Sequence, residues 1–309
     1  MMSRRKDDTA AEISDRVARH VKANVYWFYK ECTDIASMSQ SWAIYTLTWL
    51  IQNLQLMYFI SDAYVPFHWN GSVSRVIIDI TGFVTEFPTT STTSYLVSSV
   101  WIYAVLLHTV YAAWSRHHYR WSLPILVHKH LLQWSTSIFY LPLIIPHIKL
   151  IFGCILSARD DIAQHPYNSM VCGSSTHTGL TIFSIFTLAF WIIYAVITKL
   201  LLFHCDLPDL APNTYVPLSM QHTNRPQAVF LLIKTALLVL LITGQRTSWR
   251  FACAVLMFLA GLAMVRYQLQ LLPHWRDAAQ TMALTKALLC AWTGLTGFII
   301  ATSEGKFLL

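Results

Sequence analysis

Charged residues are scarce in this sequence. Only 12% of the 309 residues are Asp, Glu, Lys or Arg, whereas a soluble domain carries roughly a quarter. Residues 179–198 contain no charged residue and no histidine, and a helix of that length crosses about 30 Å of hydrocarbon. Because 55% of the residues are hydrophobic, too little polar surface remains for a soluble globular protein. The sequence predicts a membrane protein.

Several motifs of other classes are missing as well. The six cysteines are too scattered for a disulfide scaffold or a Cys-x-x-Cys metal site. The N-terminus lacks the apolar core of a cleaved signal peptide, so we expect the first span to act as the insertion signal. No predicted span contains a His-x-x-x-His pattern, and the sequence contains no glycine-rich motif of the kind that binds phosphate. We therefore expect no enzyme, catalytic residues, cofactor or metal, although a metal-dependent hydrolase using the cytoplasmic histidines remains an alternative.

The hydrophobic pattern predicts an all-α, polytopic transmembrane bundle of about seven spans. Residues 1–40 form a basic cytoplasmic segment, residues 41–303 the helical domain and residues 304–309 a short tail. A charged, amphipathic stretch after the first span is too short to cross and predicts an interfacial helix. The predicted spans are residues 41–61, 95–115, 131–153, 177–203, 227–244, 249–272 and 281–301.

The N-terminal segment is basic, and its apolar residues recur at helical spacing. This pattern predicts an amphipathic helix with Arg16, Arg19 and Lys22 near anionic lipid headgroups. The alternative is a lightly ordered tail that only fixes orientation. The net charge of +7 does not indicate nucleic-acid binding, because the cations cluster in this segment and beside apolar runs.

A few polar residues and prolines interrupt the spans. Gln52 and Gln55 fall in the middle of the first span, where interhelical hydrogen bonding is the simpler interpretation and a polar pathway the alternative. His108 lies inside the second span, as an interior histidine or a proton relay. Pro142 and Pro146 predict a kink or break in the third span, which is typical of some transporter pathways.

Four further histidines follow the second span and flank the start of the third. We interpret them as a solvated basic loop, with metal binding as the less favoured alternative. They are His117, His118, His128 and His130.

Cytoplasmic loops of membrane proteins are enriched in Lys and Arg, and the distribution of these residues therefore predicts a cytoplasmic N-terminus. Two features of the predicted outside loops agree with it. Asn70 begins a glycosylation sequon, and Cys154 and Cys172 bracket another outside loop. We predict a glycan at Asn70, and leave open whether the two cysteines form a disulfide or stay free. The plasma membrane is the expected location.

Three stretches carry a resemblance to a known family. YLPLIIPHIKLIFGC, VCGSSTHTGL and RYQLQLLPHWRDAAQTMALTKALLCAWTGL resemble the membrane region of the tiny macrocysts (TmcB/TmcC-like) family, over residues 40–300. The resemblance implies membrane sensing or signalling, usually through a long cytoplasmic part with helical repeats and often a PAS domain. This chain ends at Leu309 without such a part, so we expect a cytoplasmic signalling partner or other membrane subunits.

The first functional hypothesis is a non-enzymatic sensor or scaffold in a membrane signalling assembly. The alternative is a transporter or channel, favoured by the paired prolines and by the polar residues at membrane depth. A further alternative is a seven-helix receptor, suggested by size and span number. The inferred cytoplasmic N-terminus and the missing Asp-Arg-Tyr and Asn-Pro-x-x-Tyr motifs oppose that alternative.

Overall fold

The structure is a computed structural model. It describes residues 42–61, 71–85, 91–119, 123–157, 172–201, 225–244, 249–271 and 277–303. The described residues are almost all helical, in agreement with the predicted all-α class. In chain order the helices are α1 (Trp42–Ser61), α2 (Gly71–Thr85), α3 (Ser91–Tyr119), α4 (Leu123–Ser137), α5 (Tyr140–Ser157), α6 (Ser175–Leu201), α7 (Arg225–Gly244), α8 (Trp249–Leu271) and α9 (Asp277–Ser303).

Helices lie over all seven predicted spans, but not all of them meet the requirements of a span. Within the described ranges, three are long and apolar enough to cross a membrane: Thr92–Ser115, Ser175–Leu201 and Ala278–Ile299. The bent pair α4 and α5 adds a fourth if it counts as one span. The protein therefore has the helices of a membrane protein, and the number of seven crossings stays a prediction.

Helix α6 has the polarity expected of a helix in lipid. Its outward face carries large apolar side chains at helical spacing, with Ile182, Phe186 and Phe190 between 51% and 65% exposed. Its buried face includes Ser184 and Lys199. Since water would favour the opposite arrangement, this polarity indicates that hydrocarbon surrounds the helix.

The third predicted span is broken, and the break precedes both prolines. Helix α4 ends at Ser137, α5 begins at Tyr140, and the two are bent by 56°. Pro142 has no N–H to donate to the carbonyl of Ile138, four residues earlier. That carbonyl instead accepts a hydrogen bond from Nε2 of Gln55 at 2.6 Å. The break therefore lies one turn before Pro142, whereas Pro146 lies inside α5.

Helices α8 and α9 approach each other closely through glycine. A Cβ atom placed on Gly261 would lie 2.3 Å from the backbone nitrogen of Ala291. One placed on Gly294 would lie 2.3 Å from the backbone nitrogen of Phe258. Small residues at a helix interface allow the van der Waals packing that drives association in lipid.

Helix α2 lies where the sequence predicts an interfacial helix, and its position at the membrane surface stays a prediction. Its apolar residues Val76, Ile80 and Phe83 are exposed, while Thr81 and Thr85 are buried. Several other predictions lie outside the described residues: the N-terminal segment 1–40, the sequon at Asn70 and the tail 304–309. The side chain of Cys154 also lies outside them, so the pairing with Cys172 stays a prediction.

Candidate functional site

Three lysines are buried in the interior of the bundle. Lys199, Lys234 and Lys286 are 5%, 3% and 7% exposed, and they come from α6, α7 and α9. Lys234 is the tenth residue of the twenty in α7, and its ammonium group points to a partner within the bundle. We call these three residues the lysine cluster.

Each ammonium group of the lysine cluster donates to a neutral oxygen. Nζ of Lys234 donates to Oε1 of Gln55 at 2.9 Å, and Nζ of Lys286 donates to Oε1 of Gln52 at 3.1 Å. Nζ of Lys199 donates to the hydroxyl of Ser137 at 2.8 Å. These bonds orient the lysines, and none of the three acceptor oxygens carries a formal negative charge.

One aromatic ring links two of the cations. Nζ of Lys286 lies 4.0 Å from the ring centre of Phe230, and Nζ of Lys234 lies 5.6 Å from it. A cation over the ring face is attracted by the ring quadrupole. The cluster therefore holds the amino groups of two lysines close to one aromatic ring.

Gln55 connects the lysine cluster to the broken span. Its Oε1 accepts from Lys234, while its Nε2 donates to the carbonyl of Ile138 at the break and to the carbonyl of Val84 on α2. Both the oxygen and the nitrogen of the Gln55 amide are therefore hydrogen-bonded. The structure brings together Gln52, Gln55 and the break that Pro142 predicted, although their spacing in the sequence does not show this.

A small cavity lies between the cluster and the break. Its lining includes Lys199, Lys234, Ser137, Tyr140 and Gln52. Its volume is about 10 Å³, which holds roughly one water. The hydroxyl of Tyr140 lies 2.6 Å from that of Thr235 on α7, and this contact holds α5 against α7. The cavity can take a small occupant only if its side chains move.

The described part of the chain has few acidic side chains. Among the side chains that the structure describes, Asp79 alone is acidic, and it lies exposed on α2. A buried ammonium group is costly unless it is paired with a negative charge.

The histidines form separate contacts, away from the lysine cluster. His128 is fully buried in α4, and its Nδ1 lies 3.2 Å from Nδ1 of His108 on α3. The expectation that His128 belongs to a solvated loop is wrong, because the apolar residues Ile125 and Leu132 make this stretch a buried helix. His147, near Pro146 on α5, contacts the hydroxyls of Ser98 and Ser184.

No described group of three or more His, Cys, Asp or Glu side chains is placed to hold a metal ion.

The site residues that sequence reasoning missed are Lys199 and Lys286, which stood near span ends and looked like topology determinants. Comparison with protein-family models, curated proteins and solved structures found no match.

Proposed function

We propose that the protein is a non-enzymatic, multi-pass membrane transporter that binds a small anion at the lysine cluster. The observation that carries this proposal is the convergence of three buried ammonium groups beside a break in a span. The sequence alone favours a sensor or scaffold, with a transporter or channel as the alternative.

The charge of the site supports an anion as the transported solute. Three lysines contribute three positive charges when protonated, and Gln52, Gln55 and Ser137 neutralise none of them. Ammonium groups in a site of low dielectric attract an anion much more strongly than they would in water. Each bound oxygen of the anion would gain a charge-assisted hydrogen bond.

The broken span supports a transport pathway. Discontinuous helices surround the substrate sites of several transporter folds, because their ends offer unpaired backbone groups and positive helix N-termini. Here the N-terminal residue of α5, Tyr140, and the C-terminal residue of α4, Ser137, both line the cavity next to Lys199. A change in the bend between α4 and α5 would open or close the cavity.

The number of crossings belongs to the same proposal. We propose seven spans with the N-terminus in the cytoplasm of a plasma-membrane protein, supported by the helices over all seven predicted segments. Glycosylation mapping tests the topology: an engineered sequon before Trp42 should stay unmodified. A glycan on that sequon would contradict the proposed orientation.

Uptake into proteoliposomes tests the proposed function. The purified chain is reconstituted and offered labelled phosphate, sulfate, succinate or chloride at equal ionic strength. We expect uptake of at least one anion above that of protein-free vesicles, and loss of that uptake in Lys234→Met and Lys286→Met. Lys149→Met is the matched control, because Lys149 lies on α5 and does not line the cavity. Uptake of none of these anions would contradict the proposal.

A second candidate is the sensor or scaffold part of a signalling assembly. The small volume of the cavity favours it, since about 10 Å³ leaves no open path through the described bundle. The tiny macrocysts resemblance points in the same direction. A sensor would bind the anion, measured by calorimetry on the solubilised chain, and would show no uptake in the same vesicles.

A further inference from the structure

The hydrogen bonds around the small cavity leave several donors free. Its lining includes Gln52, Ser137 and Tyr140, together with Lys199 and Lys234 of the lysine cluster. Because a lysine ammonium group can only donate, a side-chain oxygen that meets one has to accept. The direction of the bonds to the lysines is therefore known, and it shows which hydrogens remain for a ligand.

Lys286 fixes the orientation of the Gln52 amide. Nζ of Lys286 donates to Oε1 of Gln52 at 3.1 Å, so the amide oxygen faces Lys286 and the amide nitrogen faces away from it. Within the described part of the chain, Nε2 of Gln52 makes no hydrogen bond. The N–H bonds of Gln52 are therefore available to a ligand in the cavity.

Ser137 and Lys234 supply two more donors. The hydroxyl oxygen of Ser137 accepts from Nζ of Lys199 at 2.8 Å, and no described group accepts the hydrogen of that hydroxyl. An ammonium group has three N–H bonds, and Lys234 uses one of them on Oε1 of Gln55. Both residues can therefore donate to a ligand without breaking a bond that they already make.

Free donors from three helices thus meet at one cavity. Gln52 belongs to α1, Ser137 to α4 and Lys234 to α7. Such a set suits an anion, whose lone pairs accept from every donor in charge-assisted hydrogen bonds. Gln52 and Ser137 donate whatever the charge of the lysines, and the anion brings a negative charge to the buried ammonium groups.

The size of the cavity discriminates between anions. A volume of about 10 Å³ holds roughly one water. A halide is a single atom, somewhat larger than a water molecule, whereas sulfate, phosphate and succinate carry several oxygens and require more side chains to move. Charge acts in the same direction, because burying a multiply charged anion costs more than burying a singly charged one.

We propose that the anion of the lysine cluster is a halide such as chloride. This inference rests on the proposed function and names its substrate. The halide accepts from Nε2 of Gln52, from the hydroxyl of Ser137 and from Nζ of Lys234. Since each is a hydrogen bond to a charged group, removing one should weaken halide binding roughly tenfold or more.

Flux into proteoliposomes tests the identity of the anion. Vesicles with a trapped halide-sensitive dye receive chloride or bromide, and parallel vesicles receive labelled sulfate, phosphate or succinate at the same ionic strength. A potassium ionophore balances the charge. We expect halide entry several-fold above that of protein-free vesicles, and entry of the larger anions at the protein-free level. A larger anion that enters as fast as chloride would overturn the halide and leave the proposed anion transporter standing.

Ser137→Ala tests the hydroxyl donor, and Ser135→Ala is the matched control. Both serines are buried in α4, and both accept from a neighbouring N–H, which for Ser135 is Nε1 of Trp101 at 2.8 Å. Of the two, Ser137 lines the cavity. We expect Ser137→Ala to raise the chloride concentration for half-maximal flux roughly tenfold, and Ser135→Ala to leave it unchanged. Equal values in the two variants would overturn the role of Ser137.

A binding measurement separates the halide site from transport. Thermal unfolding of the solubilised chain is compared in chloride and in gluconate, an anion too large for the cavity, at equal ionic strength. We expect chloride to raise the melting temperature of the wild type. Gln52→Glu keeps an oxygen for Lys286 but replaces the N–H donors by a carboxylate oxygen, so it should abolish the chloride effect.

The outcomes for the two proposals differ. Chloride that stabilises the wild type without crossing the vesicles would support the halide site and contradict the proposed transport. A chloride effect in Gln52→Glu equal to that in the wild type would overturn the halide site, even if another anion is transported.

Discussion

The close packing of α8 against α9 gives a testable prediction about stability. Replacing Gly294 by alanine puts a methyl carbon 2.3 Å from a backbone nitrogen of α8. Ordinary contacts begin near 3.4 Å, so α8 and α9 must separate by roughly 1 Å at this point. A gap of that size removes about a quarter to a half of the dispersion energy of each affected atom pair. In lipid this dispersion energy is a main source of helix association.

We expect Gly294→Ala to lower the free energy of unfolding by about 1–3 kcal/mol. With roughly 2–4 °C per kcal/mol for a large domain, the melting temperature should fall by about 2–12 °C. Gly261→Ala should behave alike, because its new methyl would meet the backbone of Ala291. The assay is thermal unfolding of the detergent-solubilised chain, followed by tryptophan fluorescence.

Gly297→Ala is the control on the same helix. Its Cβ would lie 3.5 Å from the Cβ of Ala254, an ordinary contact. Alanine also favours a helix over glycine by about 1 kcal/mol, so this variant should melt at or slightly above the wild-type temperature. If Gly294→Ala and Gly297→Ala melt alike, the close packing of α8 against α9 is wrong.

Three other predictions concern the site and the outer loop. Gln55→Leu should destabilise the chain by about 1–3 kcal/mol, since it removes the hydrogen-bond partner of Lys234 and of the Ile138 carbonyl. A variant that melts at the wild-type temperature would contradict these two hydrogen bonds of Gln55. Tyr140→Phe should cost about 1 kcal/mol by removing the bond to Thr235, and an unchanged denaturation midpoint would contradict this. If Cys154 and Cys172 pair, non-reducing peptide mapping will recover their peptides linked, and separate peptides would exclude the disulfide.

The membrane character was predictable from the sequence because it depends on local composition. Residues 179–198 have to avoid water whatever they pack against, and the structure makes them part of α6. A break or kink in this span was also predictable, since a proline inside a helix removes a backbone hydrogen bond. The position of the break was not predictable. It depends on Gln55, 83 residues earlier in the sequence, whose Nε2 donates to the carbonyl of Ile138.

The lysine cluster was beyond the reach of sequence reasoning. Lys199 and Lys286 lie within a few turns of span ends, where most lysines extend to the headgroups. Only the packing of α6, α7 and α9 turns these side chains inward. In the same way, His128 belongs to a run of histidines that looks solvated, and only its contact with His108 and Tyr194 shows that it is buried. Contacts between distant segments decided both sites.

Anion binding to the purified chain tests the central claim most directly. Calorimetry should be run with the anion taken up by wild-type vesicles, comparing wild type, Lys234→Gln and the control Lys149→Gln. Because a hydrogen bond to a charged group contributes about 1.5–3 kcal/mol, we expect Lys234→Gln to bind roughly 10–150 times more weakly and Lys149→Gln to bind like wild type. Equal affinity in wild type and Lys234→Gln would contradict the account.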